Sequence, residues 1–180
     1  MASVVFLKGI NVGGHRTFRP SVLAAQLKQF DTISLGAAGT LVVRDRVPQT
    51  ELRAELARRL PFEAEVAICT ANEIVSLVSR DPFAREPERP GIVRFVSVLS
   101  GRPKNVPALP LGLPSDADWL LRILGRQGQF VFGLHRRHMK VIGHLRSLDR
   151  LFGVPVTTRS WTTITRVANL LGTPRRREIG

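Results

Sequence analysis

The spacing of apolar residues changes period along the chain, and each change marks an element. Val4-Val5-Phe6-Leu7 is a short apolar run of the kind that fills a buried strand. A glycine-rich stretch, residues 9–14, ends it. Leu23, Leu27 and Phe30 then recur at helical spacing behind Pro20 and Ser21, either of which starts a helix well. Ile33-Ser34-Leu35, the turn Gly36-Ala37-Ala38-Gly39 and Thr40-Leu41-Val42-Val43 predict a second and a third strand. Val47-Pro48 opens another helix, with Leu52, Leu56 and Leu60 on one stripe. Residues 65–69 read as a fourth strand. Thr70-Ala71-Asn72-Glu73 has capping-box spacing and leads into a helix over 74–79, which Asp81-Pro82 stops.

A proline- and charge-rich segment, residues 81–90, separates this series from a second one. Residues 92–99 predict a long strand. The proline-rich stretch 103–114 has room for at most a short helix. Residues 119–124 and 129–134 read as a hairpin across 125–128, followed by a helix at 147–152 and a strand at 154–158. Ser160 caps a last helix that runs through residue 171. The expected fold is α/β of the α+β type: two ferredoxin-like βαββαβ subdomains in tandem, each followed by an extra helix. Their expected bounds are 1–80 and 91–171, with a linker at 81–90 and a basic tail at 172–180. The shared order of elements suggests a duplication, although no residue-level repeat is visible.

Charge divides the chain differently. The 180 residues carry 27 Lys and Arg against 14 Asp and Glu, a net charge of +13. Residues 1–90 hold 12 basic and 10 acidic residues; residues 91–180 hold 15 and 4. A basic second half points to a polyanionic partner such as nucleic acid. The competing reading is compositional, since Arg outnumbers Lys 23 to 4. That bias accounts for arginine over lysine but not for the shortage of acids after residue 90. Between residues 136 and 150, Arg136, Arg137, Lys140, Arg146 and Arg150 face a single acid, Asp149. Phe130 and Phe132 share one strand face and are either base-stacking aromatics or core.

Few residues suggest other chemistry. The single cysteine, Cys69, excludes an internal disulfide and a cysteine zinc cage, which fits a reducing compartment. No apolar run nears the roughly 18 residues of a membrane span. The residues after Met1 lack the charged start and cleavage site of a signal peptide, so the expected location is cytoplasmic, with no membrane partner. His135, His138 and His144 lie among arginines without carboxylate or thiol neighbours, so no metal site is expected. No cofactor or nucleotide fingerprint is matched. The alternative function is an enzyme or sensor, with the loop at residues 9–14 freeing backbone amides for a small anion such as a phosphorylated metabolite or nucleotide. Lys8, Gly9, Asn11, Gly13 and Gly14 are its candidate contacts, against a reading of glycines placed for turn geometry alone. Arg159 and Trp161, at the start of the last helix, are the remaining ligand candidates; core packing is the competing reading for the tryptophan.

Leu7-Lys8-Gly9-Ile10-Asn11-Val12-Gly13-Gly14 resembles the opening signature of the bacterial domain-of-unknown-function family 1697. Thr157-Thr158-Arg159-Ser160-Trp161-Thr162-Thr163-Ile164 is similar to that family's second signature, Thr-Thr-Arg-Asn-Trp-Asn-Thr-Val. The resemblance implies two ferredoxin-like subdomains and no assigned substrate or activity. This chain departs from the pattern at several places. Lys8 stands where the family has Arg, Ala38-Gly39-Thr40 where it has Ser-Gly-Asn, and Ser160 and Thr162 where it has Asn. Either the turn at 38–40 was always structural, or this member has lost or changed an activity.

Overall fold

A computed structural model of the chain describes residues 1–10 and 17–172. The first sheet is built from β1 (Ser3–Leu7), β2 (Thr32–Leu35), β3 (Thr40–Val43) and β4 (Val66–Thr70). Helices α1 (Pro20–Gln26), α2 (Gln49–Arg59) and α3 (Ala71–Arg80) accompany it. The second sheet holds β5 (Ile92–Leu99), β6 (Leu111–Leu113), β7 (Leu121–Gln127), β8 (Phe130–Arg136) and β9 (Val156–Ser160), with α4 (Val141–Phe152) and α5 (Trp161–Gly172). Both sheets are antiparallel throughout. The result is a mixed α/β fold with two sheets.

The strand orders are β2-β3-β1-β4 and β6-β7-β8-β5-β9. With β6 set aside, the second repeats the first. β1 lies between β3 and β4 as β5 lies between β8 and β9. Successive side chains on a strand point to opposite faces, and in both sheets both faces are covered. Val5, Leu7, Leu41 and Val43 meet α1 and α2 in one core. Phe95, Leu99, Leu121 and Val131 meet α4 in another. Val4, Phe6, Val42 and Cys69 from the first sheet share a third core with Val96, Val98, Phe130 and Leu134 from the second. α3 and α5 pack on each other inside this central core through Ile74, Leu77, Ile164 and Val167.

Local signals explain most boundaries. Pro20 occupies the first turn of α1, where its missing N–H costs nothing. Thr70 and Glu73 form the capping box of α3. The second half departs from the expected βαββαβ series at one point: no helix follows β5. Pro103, Pro107, Pro110 and Pro114 cannot donate backbone hydrogen bonds, so the stretch crosses without a helix and leaves Leu111–Leu113 as an edge strand on β7. α4 also begins six residues before the predicted 147, because Val141, Leu145, Leu148 and Phe152 form one stripe on the outer core. Phe83, inside the segment read as a linker, is buried in the central core. Phe130 is buried there too, and Phe132 is half-buried against it.

Candidate functional site

Arg159 is the fourth residue of β9 and pairs in register with Val96 of β5. Its side chain leaves the second half and enters the first. Nε donates to Thr40 Oγ1 at 2.9 Å, and one terminal nitrogen donates to the carbonyls of Leu7 (2.8 Å), Gly39 (3.4 Å) and Ala38. The other terminal nitrogen bonds the Thr158 carbonyl at 2.9 Å. The guanidinium carbon stands 5.8 Å from the centre of the Phe6 ring. Burial lowers its pKa to about 10, so it stays charged at neutral pH. A planar fork of five donors suits a cluster of carbonyl oxygens that a single ammonium could not serve.

Lys8 crosses the same seam in the other direction. Its ammonium pairs with Asp149 of α4 and with Glu65 at 3.1 Å. Asp149 Oδ1 meanwhile accepts from the Val156 backbone N–H at 3.0 Å. Lys8 and Arg159, both singled out as ligand candidates, thus meet groups of the protein itself. Gly9 is exposed with a positive φ of 68°. Asn11, Gly13 and Gly14 lie outside the described residues.

The basic candidates occupy the end of β8 and the outer side of α4. Arg136, Arg137, Lys140, Arg146 and Arg150 are all exposed. Arg136 donates through Nε to the Trp119 carbonyl at 2.9 Å and lies over the Trp119 ring, 4.7 Å from its centre. Among the described residues, none of the five pairs with a carboxylate, and Asp149 is engaged by Lys8. Arg137 also lines a cleft of about 460 Å³ at the start of α5, together with Arg89, Arg94, Ser160, Trp161 and Thr162. Here one residue from each candidate set comes together. Trp161 is half-buried, with its ring edge-on to Phe83 at 5.1 Å. Arg94 is held by Glu88 at 3.2 Å and by the Glu86 carbonyl.

The sequence reading missed Arg89 and Arg94 as neighbours of Trp161. Arg94 interrupts an apolar strand, and that interruption was the available signal. Cys69 is fully buried, and desolvation, with Glu73 nearby, pushes its thiol well above the ordinary range. Its thiolate is therefore scarce, as is usual for a cysteine packed in a core. Among the described residues no three His, Cys, Asp or Glu side chains gather to hold a metal ion. No helix among them is long and apolar enough to cross a membrane.

Two antiparallel sheets that share a strand order once β6 is set aside, with α3 and α5 packed between them, define a mixed α/β protein. The fold is similar to that of the conserved bacterial protein SP0830 from Streptococcus pneumoniae. The TM-score is 0.61 at 12% sequence identity, covering 94% of this chain and 98% of that one. Residues 1–118 match the family described as "Protein of unknown function (DUF1697)", and the chain belongs to that family. No curated protein matches significantly.

Proposed function

We propose that the protein binds a polyanion, with nucleic acid as the class of partner, through the surface formed by the end of β8 and the outer side of α4. The observation that carries this reading is the pairing of Lys8 with Asp149. It draws the one acid of the stretch into the seam and leaves five exposed cations without a carboxylate. Surface charges that serve only solubility are usually interspersed with the opposite sign. The cleft beside Trp161 adjoins this surface through Arg137 and offers a strand an aromatic ring beside guanidinium groups. The alternative of a small phosphorylated ligand at residues 9–14 has less support, because Lys8 and Arg159 are committed to groups within the protein.

Salt titration tests the proposal. Five cations contacting the phosphates of a single strand give a slope of log affinity against log salt of about −3.5. Replacing Arg137, Lys140 and Arg146 together by Gln should flatten that slope by about 2. Arg136 is left in place because it holds Trp119. The proposal fails if no single- or double-stranded nucleic acid binds at ~50 mM salt, or if the triple variant binds with an unchanged slope.

A further inference from the structure

A second cleft, on the inner face of the second sheet, holds a charge that neither the fold nor the polyanion surface uses. Strand alternation on β7 sends Leu121 and Ile123 to the outer core and places Arg122 and Leu124 on the opposite face. Arg122 stands in register with Leu134, and that face also carries Phe130, Phe132, Val96 and Val98 together with Arg94 and Arg159. Arg94 is held there by Glu88 and the Glu86 carbonyl, and Arg159 by Thr40 and the Leu7 carbonyl.

Arg122 Nε is buried and has no hydrogen-bond partner among the described residues. A buried charged donor without a partner is more costly than an apolar side chain in its place, and folded proteins rarely keep one. Arg122 lines a cleft of about 520 Å³ together with Arg80 and Arg85, at the end of α3 and just beyond it. Asp81 and Glu86 line the same cleft, yet no ion pair joins them to any of the three arginines. Asp81 instead accepts from the Phe83 N–H at 3.2 Å. Leu124 and the half-buried Phe132 complete the wall on the apolar side.

We infer that this cleft binds an organic phosphate monoester, its phosphate held by Arg122 between Arg80 and Arg85 and its organic body lying on Leu124 and Phe132. Guanidinium forks match the spacing of phosphate oxygens, and a tetrahedral dianion has oxygens for three of them where a carboxylate has two. The cleft volume lies within the range of small-molecule sites, roughly 300–1,000 Å³. The inference goes beyond the polyanion reading and does not depend on it, since the two sets of arginines share no member.

Phenyl phosphate and inorganic phosphate are suitable probes, titrated calorimetrically into the full chain at constant ionic strength. Both should bind, phenyl phosphate more tightly because of its ring. Arg122→Met should melt no lower than the parent without ligand, since it replaces a buried donor atom that lacks a partner with an apolar side chain. It should bind phenyl phosphate at least about tenfold more weakly. Should that variant fail to fold, Arg80→Gln with Arg85→Gln decides the matter, because both residues are exposed. That pair should weaken binding without moving the melting temperature of the free protein. Absence of binding to the parent at ~10 mM probe overturns the inference, as does an unchanged affinity in the variants. The Arg137, Lys140 and Arg146 triple variant should keep full phenyl phosphate affinity, so this site and the polyanion surface can fail separately.

Discussion

The two sheets share a strand order and differ in what they do with the same position. β4 and β9 are corresponding edge strands, each paired to the central strand of its sheet and each leading directly into a helix. The fourth residue of β4 is Cys69, opposite Val4; the fourth residue of β9 is Arg159, opposite Val96. Cys69 fills the central core with a small side chain and stays within its own half. Arg159 spans the core and ties itself to the end of β1 and to the turn before β3. One scaffold thus supplies both a core residue and a bridge. The first half lends its carbonyls to the second, and the second half keeps the excess of surface charge.

Removing the bridge should have the largest effect. Arg159→Met removes the arginine donor to the Leu7 carbonyl and to the Thr40 hydroxyl, while the Gly39 carbonyl keeps its bond from the Leu7 N–H. Each buried group left short of a donor costs about 1–3 kcal/mol, so a total of about 3–5 kcal/mol is expected. For a chain of this size that lowers the melting temperature by roughly 10 °C. Arg159→Lys should recover only part of the loss, because an ammonium cannot reach the same set of carbonyls. The difference between parent and Arg159→Met should not vary between about pH 5 and 9, where the arginine is protonated in both folded and unfolded chains. Above about 10 the unfolded chain holds the proton more tightly than the folded one, so the parent gains stability relative to the variant as pH rises. A loss below ~1 kcal/mol in urea unfolding would mean that the bridge is incidental to stability.

The hairpin turns offer a second contrast. Gly39, before β3, has φ of 77°, and a Cβ there would lie 2.6 Å from Ile10 Cδ1 and 2.8 Å from Leu7 Cβ. Gly128, before β8, has φ of 57° and open space around the same position. Both turns need the left-handed backbone, but only the first is also pressed against neighbours. Gly128→Ala should therefore cost about 1 kcal/mol, the ordinary penalty of that conformation. Gly39→Ala should cost about 2–4 kcal/mol, because Ile10 and Leu7 must also shift. Equal losses in paired denaturation curves would place the whole effect in the backbone and none in the packing.

These contrasts show which features a linear reading reaches. Periodicity located β1 and β3 because sheets buried on both faces leave near-continuous apolar runs, and β5 despite Arg94 and Ser97 within it. The capping box placed the start of α3 from four residues alone. Local signals failed where the deciding partner is distant in sequence. Leu111–Leu113 has too few residues to announce a strand, and only its pairing with β7 makes it one. Phe83 sits among prolines and charges, and its burial depends on Phe132 and Trp161, which approach from two other elements. Arg159 was legible as an unusual residue but not as a bridge, since its acceptors in the first half lie more than a hundred positions away. The isolated position of Arg122 among apolar neighbours was visible in Leu121-Arg122-Ile123-Leu124. Its lack of a partner was not.

Lys8 provides the finest test of how strongly the halves are joined. It pairs with Glu65 of its own half and Asp149 of the other, at sites where 27%, 54% and 38% of the respective side chains remain exposed. Water and salt screen such pairs, so Lys8→Met should cost no more than about 1 kcal/mol. The informative quantity is the coupling with Asp149, measured by a double-mutant cycle of Lys8→Met and Asp149→Asn at low and high salt. A coupling of a few tenths of a kcal/mol that shrinks as salt rises is expected for a partly exposed pair. Lys8→Met also leaves the Asp149 carboxylate without its lysine partner beside Arg146 and Arg150. Nucleic-acid affinity should then fall slightly, in the direction opposite to the effect of Asp149→Asn. If both variants change affinity in the same direction, Asp149 acts on that surface through the position of α4 and not through its charge.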